Sequence, residues 1–283
     1  TGLEPLFFQK KRFFFALRFR FVAAHSIGWA GIHVMPAAGK RKKGDKAKGG
    51  GVRSKAAKAR RKAKARARKK AKREGTVGAA AAGGGLAAAA AVTKKIKLGT
   101  GISLVVEHDP IVQAKQVASL DRISNGRFLF GIGAGWNKEE MVNHGTPPNR
   151  RWKVLTERIE AMKKLWTQDE ASYHGEFVNF DRVWSYPKPI TTPHPPILLG
   201  SMSSKIGLKR VVELCDGWIP VAAAVEDLPG AIIKLHDHAK EVGRDPQSIP
   251  ITCFCTNAPK IHILERFQKH GAVRTVVRIP TEG

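Results

Sequence analysis

From Leu86 onward, short apolar runs alternate with amphipathic stretches, and this alternation restricts the chain to a parallel α/β architecture. Six runs read as strands: Lys95–Ile102, Arg127–Gly131, Pro196–Gly200, Asp216–Val221, Pro250–Cys255 and Val273–Ile279. Leu86–Val92 reads as the end of a helix. Asp109-Pro110 supplies a cap and a proline in the first turn for a helix over Ile111–Ile123, which stops at Asn125-Gly126. Trp152, Leu155, Ile159, Met162 and Leu165 recur at helical steps and predict a helix over Arg150–Trp166. Further helices are expected over Ser203–Leu214 with a serine cap, along the face formed by Leu228, Ile232, Leu235, Ala239 and Val242, and over Pro259–His270. Six such units fit an open doubly wound sheet as readily as a barrel short of two strands, and periodicity does not choose between them.

The formal net charge of +27 belongs almost wholly to the other end of the chain. Residues 1–75 carry 24 Lys/Arg against three acids, whereas residues 76–283 carry 26 against 20. Three segments follow: an aromatic, basic stretch over 1–39, a Lys/Arg/Ala/Gly-rich stretch over 40–85, and an ordinary globular sequence over 86–283. Between Arg53 and Arg73 there is no aromatic, β-branched or acidic residue, so that segment has too little apolar surface to offset the entropy of ordering and is expected to be disordered. Its charge suits weak, non-specific binding of nucleic acid through residues 40–73. The bland readings are a solvated tail or an extension from a misread gene start, and the abrupt join to the globular sequence favours the latter.

Cys215, Cys253 and Cys255 form no disulfide framework or metal-ligand spacing, and are expected to be reduced core residues of a cytoplasmic protein. No stretch reads as a membrane span.

Three strand ends carry glycine: Leu98-Gly99-Thr100-Gly101-Ile102, Gly131-Ile132-Gly133-Ala134-Gly135-Trp136 and Leu199-Gly200-Ser201-Met202-Ser203. Glycine there either makes a tight turn or lets backbone approach a ligand, and three such ends in succession favour a site. The second is no dinucleotide fingerprint, because the third glycine and the distal acid are missing.

At these residues the chain resembles the luciferase-like family, particularly its branch that uses the deazaflavin coenzyme F420. The resemblance covers Lys94–Gly101, Ala114–Asp121, Ser124–Arg127, Gly131–Asn137, Tyr186–Pro189, Pro195–Gly200 and Asp216–Trp218, in order, over about 190 residues. It implies a TIM-type (β/α)8 barrel, incomplete, behind a disordered basic extension. It further implies an oxidoreductase that moves hydride between F420, or alternatively FMN, and a small organic substrate, with a flavin-dependent monooxygenase as the alternative within the family. By resemblance, Gly101-Ile102 forms a bulge, often with a non-prolyl cis peptide, behind the cofactor ring. Gly133-Ala134-Gly135 lines the cofactor cleft with Glu139 in the next turn, Gly200-Ser201 with Ser203 receives the phosphate, and Ser172–Tyr186 forms a hairpin insertion.

The departures lie at the ends. Phe13–Phe21 reads as a degraded first strand and Gly28–Val34 as a second, too close together for a barrel helix between them. Met35-Pro36 stands where the family has an Asp-His pair, so no catalytic acid or base is assigned, and His33 reads as a lone strand histidine. The chain stops after the eighth strand at Gly283. Open edges beside the third and eighth strands would invite pairing with a second copy in a homodimer. On this reading turnover is expected to be low, and the inert-barrel alternative leaves polyanion binding as the only activity.

Overall fold

The computed structural model describes residues 21–24, 84–220, 227–255 and 260–277. His33, the expected strand over Gly28–Val34 and the basic run over 40–73 lie outside these residues.

Within them runs one curled, eight-stranded parallel sheet, an incomplete TIM-type barrel of the α/β class. In chain order the strands are β1 (Phe21–Ala24), β2 (Lys97–Thr100), β3 (Ser103–Leu104), β4 (Phe128–Gly133), β7 (Ile197–Gly200), β8 (Gly217–Ile219), β9 (Ile251–Cys255) and β10 (Ala272–Val277). β5 (Ala171–His174) and β6 (Asn179–Val183) form a separate antiparallel hairpin, the insertion expected over Ser172–Tyr186. The helices are α1 (covering 84–92), α2 (Pro110–Ile123), α3 (Lys138–Asn143), α4 (Arg151–Thr167), α5 (Lys205–Leu214), α6 (Leu228–Glu241) and α7 (Ile261–Lys269).

Local chemistry sets the boundaries. The Asp109 side chain accepts from the N–H groups of Ile111 and Val112 and opens α2. Asn125 (φ 54°) and Gly126 (φ 69°) then turn the chain into β4. α4 buries Leu155, Ile159, Met162 and Leu165 completely, with Trp152 partly covered. On α6, Leu228, Ile232, Leu235 and Ala239 are buried as expected, but Val242 lies beyond the last turn and is exposed. α5 begins at Lys205 rather than Ser203, because Ser204, not Ser203, caps it by accepting from Gly207 N at 3.2 Å.

Two strand-side expectations change. β1 pairs in parallel with β2, Phe21 opposite Lys97 and Ala24 opposite Thr100. The edge expected to be open beside the third barrel strand is therefore covered. The covering strand begins at Phe21, where the expected first strand over Phe13–Phe21 ends, and it is not Gly28–Val34. Cys215 and Cys253 are buried, and burial pushes the Cys215 thiol up to about 12, where it is inert.

Buried polar groups hold the frame together. Asp121, fully buried, accepts from Ile190 N, Thr191 N and the Thr191 hydroxyl, and so ties the loop before β7 to α2. Glu157 on α4 accepts from the N–H groups of Glu176, Phe177 and Val178 and pins the hairpin tip. A methyl group on Gly175 would sit 2.4 Å from Glu157 Oε2, so only glycine fits beneath that carboxylate.

Candidate cofactor-binding site

The carboxyl ends of the strands open on one face, where ligands of parallel barrels bind. There the edge of β4 is followed first by β2 and then by β3. Gly99 stands opposite Leu129 and Ser103 opposite Ile132. Four steps on one strand pass three on the other, so one residue is extra, and the resulting bulge falls at Gly101-Ile102, whose peptide is cis.

Ile102 rises from this bulge over two glycines. A Cβ on Gly133 would lie 2.0 Å from Ile102 Cδ1, and one on Gly200 would lie 3.2 Å from Ile102 Cγ2. The space freed by these strand-end glycines is thus filled by the Ile102 side chain, which refines the sequence reading of direct ligand approach. Gly131 serves the backbone instead: its Cβ would meet the Thr100 carbonyl oxygen at 2.0 Å, while Thr100 Oγ1 donates to Gly131 O at 2.6 Å. Beneath Ile102 lie Leu129, Leu198 and Ile219, with Phe254 against them, as the inward-facing residues of four strands. The result is an apolar floor crowned by one isoleucine.

The outward side of the same strand ends is polar. Gly200 leads into Ser201, Met202, Ser203 and Ser204 and then the amino end of α5. Trp218 of β8, fully buried, donates its indole N–H to Ser201 O at 3.2 Å and to Ser201 Oγ at 3.1 Å. Gly207 allows the first turn of α5 to close on the loop, since a Cβ there would lie 2.6 Å from Met202 O. One turn further along, Arg210 stacks on Trp152 of α4, its Cζ 4.4 Å from the ring centroid, and Arg151 approaches the same indole at 6.0 Å. Burial and the charge of Arg151 both lower the Arg210 pKa, as expected for two guanidiniums sharing one corner.

With this geometry, the comparison with known proteins is decisive: luciferase-like monooxygenases match residues 85–259. The chain belongs to that family. It is 46% identical over 162 residues to an uncharacterized protein of Mycobacterium tuberculosis, covering 56% of this chain and 57% of that one. It is 31% identical over 160 residues to the FMNH(2)-dependent dimethylsulfone monooxygenase of Pseudomonas putida, covering 53% and 44%. The coenzyme F420-dependent tetrahydromethanopterin reductase of Methanopyrus kandleri superposes with a TM-score of 0.54 at 26% identity, covering 62% of this chain and 54% of that one. The chain spans about half the length of the curated relatives it matches.

Of the site residues expected from the sequence, the luciferase-like fold brings Ile102, Gly133 and Gly200 into one cradle and sets Ser201 beside it. Ala134 is buried, Gly135 turns the chain at φ 71°, and Glu139 is exposed in the first turn of α3. It is Glu140, the next residue, whose charge reaches the half-buried carboxyl of Glu107.

Glu107 belongs to a feature the sequence did not announce. A cavity of about 350 Å³ lies among the 3₁₀ turn after β3, the start of α2, α4 and the hairpin. Glu107, His108, His144, Arg158, Phe177 and Phe180 are among its lining residues. Burial, then the charge of Glu140, raises the Glu107 pKa to about 7 against the pull of Arg158. Burial, then His144, lowers that of His108. Glu107 Oε1, His108 Nδ1 and Arg158 Nε are buried without a hydrogen-bond partner in the protein. Among the described residues no group of His, Cys, Asp and Glu is placed to hold a metal, and no helix is long and apolar enough to cross a membrane.

Proposed function

We propose that this domain binds coenzyme F420, or FMN in its place, and serves an oxidoreductase that moves hydride between that cofactor and a small organic substrate. The observation that carries the reading is the cradle of Gly133 and Gly200 under Ile102, an apolar support for a flat ring, with Ser201 and the amino end of α5 beside it. A phosphate-bearing ring cofactor fits this pairing of an apolar floor with amide and hydroxyl donors.

When bound, the cofactor supplies the hydride chemistry. The chain's own residues do the rest. Ile102 would back the ring and fix its height. Leu129, Leu198, Ile219 and Phe254 would exclude water from beneath it. The Ser201 hydroxyl and the N–H groups opening α5 would hold the phosphate, aided by the positive corner at Arg151 and Arg210.

The test is titration of the purified protein with F420 and with FMN, followed by absorbance and fluorescence, then a panel of carbonyl and enone substrates. Binding of either cofactor at ~10 μM or tighter is expected, and failure of both to bind at ~1 mM would remove the reading. The likeness to the Pseudomonas putida enzyme supports a monooxygenase as the second reading. Preference for FMN together with oxygen consumption would select it.

The charge of residues 1–75 supports a separate role: weak, non-specific binding of nucleic acid through residues 40–73. Changing the Lys and Arg residues between 53 and 73 to Gln should abolish low-salt DNA binding. A cytoplasmic location and homodimerisation remain proposals of the same kind, checked by fractionation and by light scattering.

A further inference from the structure

We infer that Trp218 is a positioning residue for the cofactor phosphate: its indole N–H holds Ser201 so that the serine O–H is left to donate to the anion. The inference rests on the reading of Gly200–Ser204 as the phosphate loop and goes one residue beyond it.

An indole nitrogen donates and never accepts, whereas a serine hydroxyl has one proton and two acceptor sites. Trp218 Nε1 lies 3.1 Å from Ser201 Oγ and 3.2 Å from Ser201 O. One acceptor site of Oγ is therefore taken. The hydroxyl proton cannot point back at the indole and must be directed elsewhere. The second contact fixes the Ser201 carbonyl, and with it the plane of the peptide whose N–H belongs to Met202. A single side chain thus sets both a hydroxyl donor and a backbone donor of the loop.

The indole is itself well anchored. Trp218 stands opposite Leu199 in the β7–β8 ladder and shares the helix-facing core with Leu208 and Val211 of α5. The entry to β8 is clamped on both sides. Asp216 Oδ2 accepts from Ile197 N at 2.7 Å, and Arg244 donates to the carbonyls of Val212, Cys215 and Asp216. Strand alternation then separates two functions. Trp218 faces outward toward the phosphate loop, and its neighbour Ile219 faces inward to the apolar floor. Removing the indole N–H should therefore affect the phosphate end of a bound cofactor and spare the ring end.

FMN and riboflavin carry the same ring and differ by the phosphate, so they separate the two ends. Trp218→Phe should weaken FMN binding by about tenfold, as expected for one charge-assisted donor misplaced, and change riboflavin affinity by less than about twofold. Where F420 is the better ligand, the same deazaflavin without its phosphate-bearing tail replaces riboflavin. Ser201→Ala should weaken FMN binding likewise, and the double variant should lose less than the sum of the two single losses, because both variants act on the Ser201 hydroxyl while only Trp218→Phe also frees the Ser201 carbonyl. Equal losses for FMN and riboflavin in Trp218→Phe, additive losses in the double variant, or unchanged FMN affinity would overturn the inference. Should Trp218→Phe not fold, Ser201→Ala alone still decides, since undiminished FMN affinity there overturns it. A wild-type protein that binds neither F420 nor FMN fails at the earlier step and removes the cofactor reading itself.

Discussion

Arg127 and Arg158 are two guanidiniums at opposite ends of the sheet, the first buried and the second half-buried. Arg127, at the entry to β4, donates Nε to Ser124 O, Nη1 to Thr93 Oγ1 and Ile96 O, and Nη2 to Ala90 O and Thr93 O. Every nitrogen has a partner, and most partners are carbonyls at the end of α1 and just beyond it. Arg158, at the carboxyl end, donates Nη1 to Val105 O and leaves Nε buried without a partner beside Glu107 and His108. Only Arg127 is fully paired. The satisfied group acts as a fixed joint, and the unsatisfied cluster leaves half-buried charge free to titrate or to take up water.

The largest expected effect comes from breaking the joint. Arg127→Met leaves several buried carbonyls without donors and detaches α1 from β4, so it should cost ~3–5 kcal/mol of unfolding free energy. Denaturant unfolding of the purified variant measures this. A loss well below ~1 kcal/mol would mean that the five hydrogen bonds are replaced by water at little cost and that the contrast with Arg158 is only apparent.

The glycines of β4 sharpen the same comparison, because two positions on one strand meet different obstacles. An alanine at Gly131 would press on the Thr100 carbonyl oxygen at 2.0 Å, and backbone cannot yield. An alanine at Gly133 would press on the end of Ile102 at the same distance, and a side chain can turn away. Gly131→Ala should therefore lower stability by ~3 kcal/mol, and Gly133→Ala by ~1–2 kcal/mol. Only Gly133→Ala should yield a folded protein whose cofactor affinity falls more than its stability. Full cofactor affinity in folded Gly133→Ala would show that Ile102 does not support the ring.

Much of this frame was legible in the sequence. Asp109-Pro110, Asn125-Gly126 and the helical spacing of Leu155, Ile159, Met162 and Leu165 are local signals, and they set α2 and α4 to within a residue or two. The motifs that carry the family resemblance proved to be of two kinds. Asp121 and Arg127 recur in it as structural joints, whereas Ile102, Gly133, Gly200 and Ser201 cluster at the strand ends. Pairings made only by closure of the fold gave no signal. Trp218 reaches Ser201 across 17 positions, and Arg151 and Arg210 meet on Trp152 from two helices. One wall of the Glu107 cavity is the hairpin tip that Glu157 holds from α4. The slip from Ser203 to Ser204 arose because consecutive serines offer equivalent caps, and the first turn of α5 chose the one that reaches Gly207 N.

The smallest expected effect concerns the unsatisfied cluster and is read from its pH dependence. Glu107 has a carboxyl raised from 4.5 to about 7 in the folded chain. Between these values the folded state holds a proton that the unfolded state has released, so stability falls as pH rises through the window. The contribution is fully present below about pH 4.5 and lost above about pH 7. Because the group is only partly screened from solvent, the change amounts to ~1–2 kcal/mol rather than the full value of the shift. His108 acts with the opposite sign: its pKa is lowered, so the unfolded chain takes up the proton first as pH falls, and stability drops toward acid. The raw profile is therefore partly flattened, and the informative quantity is the difference between Glu107→Gln and the wild type. Glutamine keeps the shape without the titration, so the variant should gain on the wild type steadily from about pH 4.5 to about pH 7 and hold a constant advantage above it. A difference that stays flat across the window would mean that Glu107 titrates as an ordinary solvated carboxyl. The contrast drawn with Arg127 would then reduce to one of packing rather than of charge.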